Sequence, residues 1–293
     1  MSRVSGTAGR LGRGTECVYW DGDALESGID LGDRAAPNGV VWCGTIPGGL
    51  FKSEDGGDSW AMVRSLWDIE ERKQWMGGGM DYAGIHSICV DPRDSDHVTV
   101  GVSIGGAYVT RDGGESWVAK SSGMRAEYVP PEQAGDAAVQ DPHLIAHCPG
   151  EPDTIWAQHH NGVFVTRDGC EQWDEVKDID PSTFGFAVAV HPDDGDTAWL
   201  VPGVKDEIRV PVDGKLVVTK TTDGGKSWRK MTKGLPRKDS YDLVFRHALK
   251  VDETGERLAF GSTTGNLWIS EDGGESWDQV SGTLPPVYCV VWK

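Results

Sequence analysis

The sequence predicts an all-β fold, a β-propeller of four-stranded blades with five recognisable units, and three observations predict it. A turn segment built on Ser/Thr-x-Asp recurs five times, at 53–60, 110–117, 166–173, 221–228 and 270–277, with Asp-to-Asp spacings of 57, 56, 55 and 49. Short runs rich in Val, Ile, Trp and Phe precede each segment and read as strands. Four such strands in about 50 residues is the size of one propeller blade.

Residues 1–38 form an N-terminal segment whose Cys17-Val-Tyr-Trp20 run is a candidate inner or closing strand, and residues 39–293 form the repeat domain. The second unit opens with His86-Ser-Ile-Cys-Val-Asp91. The third contains Thr154-Ile-Trp-Ala and Gly162-Val-Phe-Val-Thr166, and the fourth opens with Phe186-Ala-Val-Ala-Val-His191 and carries an insertion from Pro202 to Leu216. After the fifth turn, Val287-Tyr-Cys-Val-Val-Trp292 is an inner strand with no blade behind it, expected to pair with the N-terminal region and close the ring. Two closures stay open: a ring of five blades, or five blades belonging to a larger ring.

Each repeated segment has the chemistry of a tight turn. The Asp carboxylate accepts turn N–H groups, the Gly pair takes φ > 0, and the Trp packs against a neighbouring sheet. The segments Ser53-Glu-Asp55-Gly-Gly-Asp-Ser-Trp60, Thr110-Arg-Asp112-Gly-Gly-Glu-Ser-Trp117 and their three counterparts resemble the Ser/Thr-x-Asp-x-Gly-x-x-Trp "Asp box" of bacterial-neuraminidase (BNR) repeat proteins. That group includes sialidases, sortilin-type domains, photosystem-assembly propellers and bacterial proteins described as sialidase-like or glycosyl-hydrolase-like. The resemblance runs from about Gly39 to Trp292. It implies the fold and leaves the function open, because the motif recurs across unrelated activities.

A net charge of −18 argues against a general binder of nucleic acid or anionic membrane, which needs clustered cations. No apolar run reaches the roughly 18 residues that cross a bilayer, and the N-terminal stretch has no hydrophobic signal region, so a cytoplasmic protein is expected. Six scattered cysteines without a Cys-x-x-Cys pair favour free thiols over disulfides or a zinc knuckle.

Counting five residues back from the end of each inner strand gives Glu16, His86, His143, Phe186 and His247, with Tyr288 in the C-terminal strand. In a propeller these positions surround the mouth of the central channel. Glu16, His86, His143 and His247 are therefore candidate ligands for Zn, Mn, Fe or Ni, since neutral imidazole suits these ions and rigid strands pre-position it. The competing reading is a hydrated ring of histidines bound to water. The turn Gln158-His159-His160-Asn161-Gly162 brings His160 or His159 to the same face as a fourth ligand or acid–base group, and the linkers and the insertion bring Trp75, Arg125, Glu132, Asp141 and Arg209. Cys170, in place of a turn glycine, reads as tolerated variation.

The catalytic candidates are His160, Glu132, Asp141, Arg209 and Arg246. The resemblance implies a sialidase-superfamily-like hydrolase or lyase taking a glycan or small molecule at the mouth. A true sialidase is disfavoured, because Ile208-Arg209-Val210-Pro211 resembles that family's Arg-Ile-Pro element but comes after the third turn rather than before the first. The alternative is a non-catalytic scaffold that binds a protein or a glycan through the same face.

Overall fold

The computed structural model describes residues 39–77 and 81–292. The N-terminal segment 1–38, with Glu16 and the Cys17–Trp20 run, lies outside them. Five separate antiparallel sheets form in chain order. The first has three strands, β1 (Val41–Gly44), β2 (Leu50–Ser53) and β3 (Ala61–Met62). The second comprises β4 (Ile85–Asp91), β5 (Asp94–Val102), β6 (Gly106–Thr110) and β7 (Val118–Ala119), and the third β8 (Pro142–Cys148), β9 (Glu151–His159), β10 (Gly162–Thr166) and β11 (Asp174–Val176). The fourth holds β12 (Gly185–Val190), β13 (Thr197–Pro202), β14 (Val218–Thr222) and β15 (Arg229–Met231), and the fifth β16 (Leu249–Val251), β17 (Leu258–Gly261), β18 (Leu267–Ser270) and β19 (Asp278–Ser281). Each sheet is a meander in which sequential strands pair.

The repeated turns connect the last two strands of each sheet. In the second, Thr110 Oγ1 donates to Asp112 Oδ1 (2.7 Å) and accepts the Gly114 N–H (2.9 Å), while Asp112 accepts the Ser116 N–H (2.9 Å) and its hydroxyl (2.5 Å). Gly113 and Gly114 sit at φ of 69° and 96°, a region that penalises a Cβ. Cys170 occupies the same left-handed region (φ 73°), and its buried side chain packs in an apolar cluster with Phe164 and Trp173. It is a packed core residue rather than a neutral replacement of glycine.

Neighbouring sheets bury one another. Trp42, Leu50, Ile85, Val98 and Tyr108 join the first sheet to the second, and Val109, Ile145, Ala157, Phe164 and Trp173 join the second to the third. Trp156, Val163, Val188 and Leu200 join the third to the fourth, and Trp199, Val218, Leu249, Phe260 and Trp268 join the fourth to the fifth. Polar links cross the same seams: Lys52 donates to Gly113 O (3.1 Å), Arg93 pairs with Asp153 (2.6 Å), and Trp199 Nε1 donates to Gly273 O (3.0 Å).

The structure corrects the expected Asp-box β-propeller. Among the described residues no strand pairing joins the fifth sheet to the first, and the sheets close into neither a barrel nor a ring. Val287–Trp292 lies beside the fifth sheet: Val290 N–H donates to His247 O (2.9 Å), Val287 N–H donates to Ser262 O (2.9 Å), and Cys289 bridges His247 in parallel. Strands β6, β10 and β12 are buried at every position, whereas β1 and β18 alternate between buried and half-buried ones. The cysteines also differ in part from expectation: Cys43, Cys89, Cys148 and Cys170 are reduced thiols, but Cys289 is disulfide-bonded.

Replacing Trp199, fully buried at the seam between sheets four and five, by Ala should cost about 3–5 kcal/mol in urea unfolding. The same change at Trp60, which is 43% exposed, should cost under about 1 kcal/mol. Comparable losses at both positions would contradict the packing described.

The turns carry a pH dependence of defined sign. The Asp55 carboxyl is lowered from 3.8 to about 2, chiefly by the Ser59 hydroxyl, and Asp112 likewise by the Ser116 hydroxyl. A carboxyl lowered on folding contributes stability that is present above its unfolded value and lost as pH falls through the folded one. The urea midpoint should therefore fall between about pH 4 and pH 2, and fall less in Asp112→Asn. An identical pH response in that variant would remove the turn carboxylate as a cause.

Candidate functional site

The site forms where the second, third and fourth sheets begin, and it starts from Asp141. This residue immediately precedes β8, and His143 comes two positions later, so strand alternation turns both side chains to one side. The loop before β8 is anchored first. Gln140 O accepts the N–H groups of Gly105 and Gly106 (both 2.9 Å), and Gln140 Nε2 donates to the carbonyls of Ala134 and Asp136 (both 2.9 Å). Asp141 Oδ1 then accepts the Ile104 N–H (3.2 Å). Ile104 presents that N–H from a φ of 42°, an unfavourable conformation for a β-branched residue and one often found where a site constrains the backbone.

With Oδ1 held, Oδ2 faces two imidazoles. It lies 3.6 Å from His143 Nε2 and 3.5 Å from His160 Nδ1, and the ligand atoms of all three residues fall within 4.8 Å of one another. This is a group able to hold a metal ion, with one carboxylate and two imidazole donors. His160 stands in the β9–β10 turn, where its N–H donates to Asp141 O (2.9 Å). His143 Nδ1 lies 2.6 Å from Gly185 O of the fourth sheet. A carbonyl only accepts, so Nδ1 carries the proton.

Aromatic rings fix the imidazoles. His143 stacks on Phe186 with centroids 4.4 Å apart, Phe184 meets both His143 and His160 edge-on, and Tyr128 meets His160 edge-on at 5.3 Å. Arg209 and Arg246 both stand over the Phe186 ring, at 5.1 and 5.6 Å. His160, Tyr128 and Arg209 are the parts of this cluster that reach solvent.

Charge around Asp141 keeps it ionised. Burial alone pushes its carboxyl up, but His143, His159 and Arg246 outweigh burial and hold it well below the usual carboxylate range. At 3.6 Å the His143 contact is beyond hydrogen-bond length, so proximity of charge is the operative cause there. His159, fully buried, accepts the Asp141 N–H at Nε2 (3.0 Å), and burial pushes it down to about 3. Burial also keeps His86 well below its ordinary value, aided by Arg246 and His247.

Of the metal candidates, His143 alone is in the triad. His86 and His247 are buried nearby and sense each other electrostatically, and Glu16 lies outside the described residues. Of the catalytic candidates, Asp141 and His160 belong to the triad and Arg246 and Arg209 to its aromatic support, with Arg209 paired to Asp206 (2.6 Å). Glu132 is exposed in the short helical turn Pro131–Gln133. Arg125 pairs with Glu127 and Glu175, and Trp75, expected as an open platform, packs on Tyr108 and donates to its hydroxyl (2.9 Å). Sequence reasoning missed Phe184 and the Ile104 N–H. The first is recoverable from its spacing of two to Phe186, while the second leaves no sequence signal. No helix among the described residues is long and apolar enough to cross a membrane.

No family model matches the chain. It is similar to an oligoxyloglucan-reducing end-specific xyloglucanase from Emericella nidulans, with 27% identity over 296 residues covering 89% of this chain and 34% of that protein. It is also similar to a probable oligoxyloglucan-reducing end-specific xyloglucanase from Neosartorya fischeri, with 26% identity over 238 residues covering 70% of this chain and 28% of that protein. The chain thus spans about a third of the length of these curated relatives. Among solved structures, an ancestral GH74 enzyme shares the fold, with a TM-score of 0.59, 15% identity, and coverage of 88% of this chain and 35% of the other. The sequence likenesses correct the BNR, sialidase-like assignment and the sialidase-superfamily function drawn from it, because the relatives they bring up are xyloglucanases. The repeated turn that suggested the former is local turn chemistry and does not identify a family.

A buried histidine lowered on folding favours the folded state above its unfolded value of about 6.5, and that contribution is lost as pH falls toward the folded one. His159 should therefore stay neutral in imidazole NMR down to about pH 3, while stability declines below about pH 6.5. A His159 ring charged at pH 5 in the folded protein would contradict its burial.

Proposed function

We propose that this chain is a glycan-active hydrolase module that cleaves glycosidic bonds in xyloglucan-type oligosaccharides, with Asp141, His143 and His160 holding the attacking water. The observation that carries the reading is the buried, ionised Asp141 carboxylate, oriented through Oδ1 beside the part-exposed His160. The sequence likeness to two xyloglucanases across most of the chain supports the substrate class.

The residues divide the work by exposure. Tyr128, 39% exposed, offers a ring face on which a sugar can stack, and Arg209, over the Phe186 ring, offers hydrogen-bond donors to hydroxyl groups. Water entering past His160 meets the Asp141–imidazole group; Asp141 takes its proton as the oxygen attacks the anomeric carbon, and the departing sugar oxygen takes a proton from solvent water. The aromatic support and the Ile104 N–H fix the geometry before substrate arrives.

Release of reducing sugar from xyloglucan oligosaccharides is the test, with Asp141→Asn as the near-isosteric variant. The rate should fall by at least about 100-fold while the thermal melt shows a folded protein. Binding of these oligosaccharides without any release by the unaltered chain, or full activity in Asp141→Asn, would overturn the reading.

A further inference from the structure

We propose that Asp141 Oδ2, His143 Nε2 and His160 Nδ1 bind one divalent transition-metal ion, leaving coordination positions on the His160 side open to water. The inference concerns the site of the proposed function but does not depend on glycan turnover.

Three observations on the triad carry it. The first is distance. Both imidazole nitrogens stand 3.5–3.6 Å from the same carboxylate oxygen. A charge-assisted hydrogen bond would draw them to about 2.7–2.9 Å. Two donors on one ion, each bonded at about 2.0–2.2 Å with a tetrahedral angle between them, are held about 3.4 Å apart. The separations match shared coordination and exceed direct bonding.

The second observation is the tautomer. Because His143 Nδ1–H donates to Gly185 O, Nε2 is the nitrogen turned to Asp141. With Nδ1 committed to that carbonyl, Nε2 is the ring nitrogen left to meet an ion beside Asp141. A backbone carbonyl on the far nitrogen of a histidine is also the usual outer support of a metal ligand, since it sets both ring orientation and tautomer.

The third is provision for a donor set of defined type. Two imidazoles and one carboxylate favour Zn, Fe, Mn or Ni over Ca, which takes six to eight oxygens. Burial of Asp141 and His143 on one side and half-exposure of His160 on the other leave the open positions facing outward. His86 lies outside the triad. Its Nε2 is buried without a hydrogen-bond partner in the structure, so His86 serves as a control that is chemically alike but not a ligand.

The test titrates chelator-stripped, tag-free full chain with Zn2+, Mn2+ and Co2+ by calorimetry, and tracks the visible ligand-field band of Co2+. One equivalent should bind, with a Co2+ band typical of imidazole and carboxylate donors. Affinity should fall at least about 100-fold in His160→Ala and in Asp141→Asn, since losing a ligand costs more than losing an outer partner. His160→Ala is the variant least able to disturb folding, because its ring is part-exposed, and His86→Ala should bind as the unaltered chain does. Absence of one-equivalent binding by the unaltered chain for all three ions overturns the proposal, as does undiminished binding in His160→Ala. Failure of glycan hydrolysis leaves these readouts untouched, so the two ideas fail separately.

Discussion

Everything in this molecule depends on the inability of a three- or four-stranded meander to bury its own two faces. Each sheet is apolar on at least one side, and only another sheet can cover it. The interiors therefore lie between sheets, and large residues such as Trp156, Trp199, Phe164 and Phe260 fill them. The repeated turns arise from the same constraint. By satisfying their own N–H groups through Asp carboxylates, they leave strand ends free to face the next sheet, and side chains such as Lys52 and Trp199 then bond to turn carbonyls across the seam.

The site occupies the seams at the other ends of these strands. His143 comes from the third sheet, its orienting carbonyl from the fourth, and the N–H that anchors Asp141 from the β5–β6 turn of the second. A polar cluster with this much burial is tolerated because nearly every member has a partner fixed by backbone. Phe186 and Phe184 exclude water from the inner side, so the charge of Asp141 acts through little intervening solvent.

The features legible in the sequence were those governed by near neighbours in the chain. Ser/Thr-x-Asp-Gly-Gly is a complete set of turn instructions, and strand alternation links Asp141 to His143 without further information. The offset of His160 within the β9–β10 turn was likewise readable. Closure was not, because the pairing of strands far apart in the chain is decided by long-range competition that no local pattern records. The pairing of Arg125 with Glu175 and the disulfide at Cys289 were hidden for the same reason. The assignment to sialidase-like proteins failed differently: a motif that solves a backbone problem says little about the chemistry carried at the opposite end of the strands.

The hydrogen bond from His143 to Gly185 O has a mechanical meaning. It fastens the imidazole to the neighbouring sheet rather than to its own, so the ring acts as a gauge of the relative position of two bodies. Sliding the fourth sheet by a fraction of an ångström against the third would rotate the ring, while each sheet kept its internal pairing.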